Sequence, residues 1–155
     1  MQIFITGGSG LIGSAVVAEL LGNGHTVLAL ARSDSSTTAL ETAGAKTIRG
    51  DLADLRTLRA GAANADGVIH LAFANDFSSP AAVATAVAEE SAALAALGDE
   101  LIGSDRPLVT VSGTPGVPGR ASTEADPLPT EGPVSGRGLT VTAILDLASD
   151  RKSVV

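Results

Sequence analysis

The stretch Ile3 to Gly13, IFITGGSGLIG, constrains the chain more than any other. Ile3, Phe4 and Ile5 make a short apolar run of strand character, glycines follow at once, and an apolar, helix-compatible segment runs from Leu11 to Leu21. Strand, glycine turn and helix in that order form the context in which a glycine-rich motif marks a dinucleotide site rather than an ordinary turn. The glycines fit two frames, Gly8-x-Gly10-x-x-Gly13 and Gly7-x-x-Gly10-x-x-Gly13 behind Thr6. Both meet the same needs. An early glycine permits a tight turn, the middle one lets backbone approach a pyrophosphate, and Gly13 lets helix pack on strand. The free N–H groups at the helix N-terminus then face the phosphates, and the helix dipole adds to the attraction.

The rest of the chain repeats the alternation. Gly22, Asn23 and Gly24 stop the first helix, and Val27 to Ala31 reads as a strand covered on both faces. Ser33 to Ser36 reads as a loop, Thr37 to Ala43 as a short helix, and Lys46 to Arg49 as a third strand. A turn at Gly50-Asp51-Leu52, a helix over Asp54 to Ala62 and a strand over Val68 to Ala72 follow. Pro80 to Leu97 is a helix by its alanine content, with Pro80 in its first turn, and Pro107 to Ser112 is a fifth strand. Such alternation predicts a single α/β domain, a doubly wound, mainly parallel sheet of five or six strands in the Rossmann manner, over 1–145. Within it, 113–138 is a long loop rich in Pro and Gly, Leu139 to Leu145 is a candidate sixth strand, and 146–155 is a polar tail.

Composition narrows the partners. With 45% hydrophobic and 17% charged residues the chain has the composition of a globular protein, and its core must be built from Ala, Val, Leu and Ile because Trp and Tyr are absent. A net charge of −7 argues against nucleic acid or an anionic membrane as partner. The absence of Cys removes disulfides, thiol catalysis and cysteine metal sites, and no metal site is expected. No leader pattern precedes the first strand and no uninterrupted apolar run is long enough for a bilayer, so the expected location is the cytoplasm.

At the end of the second strand, where a dinucleotide fold reads the adenosine ribose, stands Arg32 followed by Ser33. An acidic residue there suits a free 2′-hydroxyl, whereas a guanidinium beside Ser33 and Ser35 suits a 2′-phosphate. Asp34 lies close by. The reading therefore favours NADP over NAD without excluding NAD.

Thr6 to Gly13, Arg32, Gly50-Asp51-Leu52, His70-Leu71-Ala72 and Ser112-Gly113-Thr114 together resemble the extended or atypical short-chain dehydrogenase/reductase superfamily, in particular its NAD(P)-dependent epimerase/dehydratase-like branch, over about residues 1–126. The resemblance implies an NAD(P)-dependent oxidoreductase or epimerase acting on a small carbonyl or sugar-like substrate. It places Gly7, Gly8, Ser9, Gly10, Leu11, Ile12 and Gly13 at the cofactor, Asp51 and Leu52 against adenine, and Leu71, Ala72 and Phe73 along the cofactor channel. It also implies that Ser112 or Thr114 polarises a substrate carbonyl. Each position has a plainer role open to it: Asp51 as a turn cap, Ser112 and Thr114 as turn formers, His70 as a packed strand residue, Glu89 and Glu90 as a solvated helix face.

The chain departs from the superfamily where its chemistry is done. Members carry a Tyr-x-x-x-Lys pair, and this chain has no tyrosine, while Lys46 precedes the third strand and Lys152 lies in the tail. The helix that carries the pair is expected to be missing, as if by deletion or truncation, together with the C-terminal substrate-binding portion. An apolar strip on one sheet face would then lie bare, with self-association the consequence unless the loop or tail covers it. Two other readings follow from the missing tyrosine: a non-catalytic NADP(H)-binding or redox-sensing domain, and a truncated, inactive remnant.

Overall fold

The structure, a computed structural model, describes residues 1–113, 116–123, 125–128, 131–132 and 135–149, with side chains described as far as 146. Among the described residues, five strands alternate with five helices: β1 (Gln2–Thr6), α1 (Leu11–Gly22), β2 (Thr26–Ala31), α2 (Asp34–Thr42), β3 (Lys46–Arg49), α3 (Leu55–Ala63), β4 (Gly67–His70), α4 (Pro80–Leu101), β5 (Leu108–Thr110) and α5 (Ser135–Ser149). All pairings are parallel, in the order β3-β2-β1-β4-β5, with Ile3 opposite Val27 on one side and Gly67 on the other. This is the doubly wound sheet that the alternation predicts.

Period-two alternation splits the core into two layers. Ile5 turns to one face and packs with Val17 of α1, Val27, Ala29, Ala31 and Leu40 of α2. Phe4 turns to the other, against Leu58 of α3, Leu94 and Leu97 of α4, Leu108 and Ile144 of α5. The helix after β1 thus covers one face and the helix after β4 the opposite face. A crevice opens between them at the C-terminal ends of those adjacent strands.

α4 is long and apolar enough to cross a bilayer. Its Ala86, Glu90, Ala93, Leu94, Leu97 and Leu101 are buried within the fold, which makes it a core helix instead. At its far end Arg106 ties two helices together. Its Nη1 donates to the carbonyls of Ala62 (2.7 Å) and Ala65 (2.9 Å), and its Nη2 donates to that of Glu100 (2.6 Å). These are helix-end acceptors that a cation satisfies well.

The structure corrects the sequence reading in three places. Ser33 to Ser36 is not a loop: Ser33 is the N-cap of α2, accepting from the Ser36 N–H at 3.2 Å while Ser36 Oγ takes the Ser33 N–H at 3.0 Å. Leu139 to Leu145 is helix, not a sixth strand, because Leu139–Leu145 lies inside α5, which packs on α4 and brings Ile144 into the core. The helix expected to be missing is therefore present, and the long loop ends before Ser135. Among the described apolar residues of the strands, the one left exposed is Val109 of the edge strand β5, 47% exposed, on the face that carries α1 and α2.

Candidate functional site: a cleft at the switch point of the sheet

The crevice is a cleft of about 850 Å³ running across the C-terminal ends of the strands. Its floor is the glycine loop. Gly7 takes φ of +73°, its carbonyl accepts the Gly10 N–H at 3.0 Å, and α1 starts from Gly10. A Cβ on Gly13 would stand 2.0 Å from the Gly7 oxygen, and one on Gly7 would stand 2.7 Å from the Ala72 nitrogen. Helix, loop and the chain leaving β4 are thus packed backbone to backbone. No side chain caps α1, so the first-turn N–H groups of Leu11, Ile12 and Gly13 stay open beside the cleft these residues line. Uncapped donors at a helix N-terminus are an anion site. They fit a pyrophosphate.

To one side of the loop lie Arg32, Ser33, Asp51 and Leu52. Arg32 is exposed and makes no ion pair or hydrogen bond among the described residues. Asp34 does not line the cleft; it pairs with Arg49 at 2.6 Å. Asp51 caps the turn before α3, accepting from the N–H groups of Ala53 (3.0 Å) and Asp54 (3.1 Å), and also faces the cleft. Its plainer role is therefore real, and it leaves the second carboxylate oxygen available.

To the other side lie Leu71, Ala72, Phe73, Val111, Glu89 and Arg137. Of the remaining sequence candidates, Gly8 lies beneath the loop, where a Cβ would meet Leu40 and Val17 at 3.2 Å, and Ser9 is at the cleft surface. Ser112 is exposed and not part of the cleft wall, whereas its neighbour Val111 is. Thr114 lies outside the described residues.

At this end the sequence reading passed over Arg137 and read Glu90 as solvated, which the structure corrects. Glu90 is not solvated: its side chain is 3% exposed and receives a two-point ion pair from Arg137, Nε to Oε2 at 2.8 Å and Nη2 to Oε1 at 2.7 Å. The same guanidinium lies 4.4 Å from the centre of the Phe73 ring. Adjacent helix positions point about 100° apart, so Glu90 turns to the core and Glu89 to the cleft.

His70 is packed, as a histidine in an apolar strand should be. It is wholly buried, and its Nδ1 shares a hydrogen bond of 2.9 Å with Thr6 Oγ1, joining β1 to β4 below the glycine loop. Burial, aided by the charge of Arg137, pushes its pKa down to about 4 from 6.5. The unfolded chain takes up a proton below pH 6.5 that the folded chain refuses until about pH 4. The stability that a neutral His70 contributes is therefore fully present above pH 6.5, and about 3 kcal/mol of it is lost as pH descends through that window. Urea unfolding across this range should show the loss in the wild type and a visibly smaller one in His70→Asn; equal losses would remove His70 as the cause.

Comparison with known proteins settles the lineage. Residues 3–133 match the model of the NAD dependent epimerase/dehydratase family. The chain belongs to the NAD-dependent epimerase/dehydratase family. Membership carries a nicotinamide dinucleotide as cofactor, and the open α1 terminus fits one. An uncharacterised protein of Saccharomyces cerevisiae is 41% identical over 129 residues, 81% of this chain and 42% of that protein. Among solved structures, the UDP-Glc/GlcNAc 4-epimerase of Campylobacter jejuni superposes with a TM-score of 0.78 at 22% identity, over 96% of this chain and 49% of that one. A UDP-glucose 4-epimerase of Stenotrophomonas maltophila with bound NAD gives 0.75 at 24%, over 99% and 50%. This family member thus spans about half the length of the proteins it matches.

Proposed function

We propose that this chain holds NADP(H) in preference to NAD(H) and serves as the cofactor-binding part of an oxidoreductase or epimerase acting on a sugar-like carbonyl or hydroxyl compound. Gly7, Ser9, Gly10, Leu11, Ile12 and Gly13 hold the pyrophosphate, Arg32 with Ser33 the 2′-phosphate, Asp51 and Leu52 the adenosine, and Leu71, Ala72 and Phe73 the nicotinamide side. When bound, the dinucleotide gives or accepts hydride. The observation that carries the cofactor preference is the unpaired Arg32 guanidinium beside the N-cap of α2, with Asp34 drawn off by Arg49. An anion beside a free guanidinium gains charge-assisted hydrogen bonds that a ribose hydroxyl does not.

The test is a fluorescence titration of the protein with NADPH and NADH. NADPH should bind roughly ten- to a hundredfold more tightly, the size of one charge-assisted phosphate contact, and Arg32→Ala should abolish that preference while sparing NADH. Equal affinities in the wild type would defeat the NADP assignment, and binding of neither nucleotide would defeat the reading altogether.

A second reading is a non-catalytic NADP(H) binder or redox sensor. It is favoured by the lack of tyrosine and by Ser112 standing outside the cleft wall. Hydride exchange with any carbonyl compound would exclude it.

A further inference from the structure

We infer that Arg137 is the residue that grips the nicotinamide half of the bound dinucleotide. The inference rests on the dinucleotide reading above and adds a binding residue to it. The argument is one of topology first. With the pyrophosphate at the start of α1, the two nucleosides of a dinucleotide must lie on opposite sides of β1. One side, over β2 and β3, presents Arg32 and the start of α2; the other, over β4 and β5, presents Phe73, Val111 and Arg137. If Arg32 takes the adenosine phosphate, Arg137 faces the nicotinamide.

Its geometry suits that partner. Nε and Nη2 are committed to Glu90, Nη2 also reaches the Val111 carbonyl at 3.4 Å, and the Phe73 ring lies against the guanidinium. These contacts fix the group before any ligand arrives. Nη1 makes no hydrogen bond among the described residues and belongs to a side chain that lines the cleft. A carboxamide oxygen is the neutral acceptor that such a donor matches. Glu90 offsets part of the guanidinium charge, which matters because the oxidised nicotinamide ring is itself cationic and a bare guanidinium would repel it. A lysine, with a point charge and no planar fork, would not combine these contacts. The arrangement explains how a chain without the family's Tyr-x-x-x-Lys pair retains a hold on that end of the cofactor.

The experiment compares NADP⁺ with 2′,5′-ADP, a probe that keeps the phosphorylated adenosine and lacks the nicotinamide. Binding is followed by calorimetry for the wild type, Arg137→Lys and the double variant Glu90→Leu/Arg137→Met. Arg137→Lys keeps a cation for Glu90, and the double variant leaves no carboxylate unpaired, so both retain α5; helix content by circular dichroism checks this. Each should bind NADP⁺ roughly tenfold more weakly and 2′,5′-ADP within about twofold of the wild type. Parallel weakening of both ligands would assign Arg137 a purely structural role, and no change in either would remove it from the site. Both results overturn the inference while leaving the dinucleotide reading intact. A wild type that binds neither ligand would instead overturn that reading, and this inference with it.

Discussion

Gly13→Ala should abolish dinucleotide binding and lower the stability of the fold by about 3 kcal/mol, the upper end of what overpacking costs. The added Cβ stands 2.0 Å from the Gly7 carbonyl oxygen and 2.7 Å from the Gly8 Cα. Both obstacles are backbone, so no rotamer change can make room. Nor can the loop retreat, since Gly7 is itself seated against the Ala72 backbone and held at a positive φ. α1 must therefore tilt off β1 or the turn must open. Either movement redirects the first-turn N–H groups of Leu11, Ile12 and Gly13, which is why binding and stability fall together. Gly10→Ala supplies the contrast: its Cβ meets only the Gly7 oxygen, at 3.2 Å, and otherwise open space. It should keep the wild-type urea midpoint within about 0.5 kcal/mol and still weaken NADPH binding by crowding the approach to α1. Were Gly13→Ala to bind NADPH and unfold like the wild type, the backbone packing that defines this cleft would be wrong.

What was legible in the sequence is what local chemistry decides. β1, the glycine turn and α1 follow one another within a few residues, and each restricts the next. Val27 to Ala31 and Lys46 to Arg49 could be placed as strands because apolar or β-branched runs are bounded by turn residues. The start of α2 was missed because its capping box uses a serine, Ser36, where the usual signature has Glu or Gln. α5 was missed for a different reason. Gly136, Gly138, Thr140, Val141 and Thr142 have poor helix propensity, and the segment is helical because tertiary packing on α4 overrides it. In that helix Thr140 Oγ1 and Thr142 Oγ1 each donate at 3.0 Å to the carbonyl four residues back, which satisfies their hydroxyls within the helix itself.

The site divides along the same line. The residues proposed for the adenosine and pyrophosphate sit in short motifs and could be named one by one. The end of the cleft proposed for the nicotinamide is assembled from Phe73, Glu90, Val111 and Arg137, which come together only when α4, β5 and α5 do. No spacing in the sequence links Glu90 to a residue 47 positions later, and of two successive glutamates nothing local tells which one turns inward.

That pairing makes the second large prediction. Glu90→Ala should cost about 3 kcal/mol and Arg137→Ala about 4, the range for breaking a buried ion pair by removing one partner. The order follows from exposure. Glu90, at 3%, has no water to turn to once its guanidinium is gone, whereas Arg137, at 19%, keeps the Val111 carbonyl, the Phe73 ring and some solvent when the carboxylate is removed. The pair itself gains little over apolar neighbours, because desolvating two charges offsets most of their attraction. Glu90→Leu/Arg137→Met should therefore lie within about 1.5 kcal/mol of the wild type, well above either single variant. Glu89→Ala, one position away on the cleft side of α4, should change stability by less than about 0.5 kcal/mol. Urea unfolding followed by helix signal, with the singles Glu90→Leu and Arg137→Met added to close the cycle, measures the coupling directly. Additive single effects would mean that apolar packing through Ile144 holds α5 on α4 without help from the ion pair. A double variant more stable than both singles would show that the two charges are coupled and that either one is costly to leave buried alone.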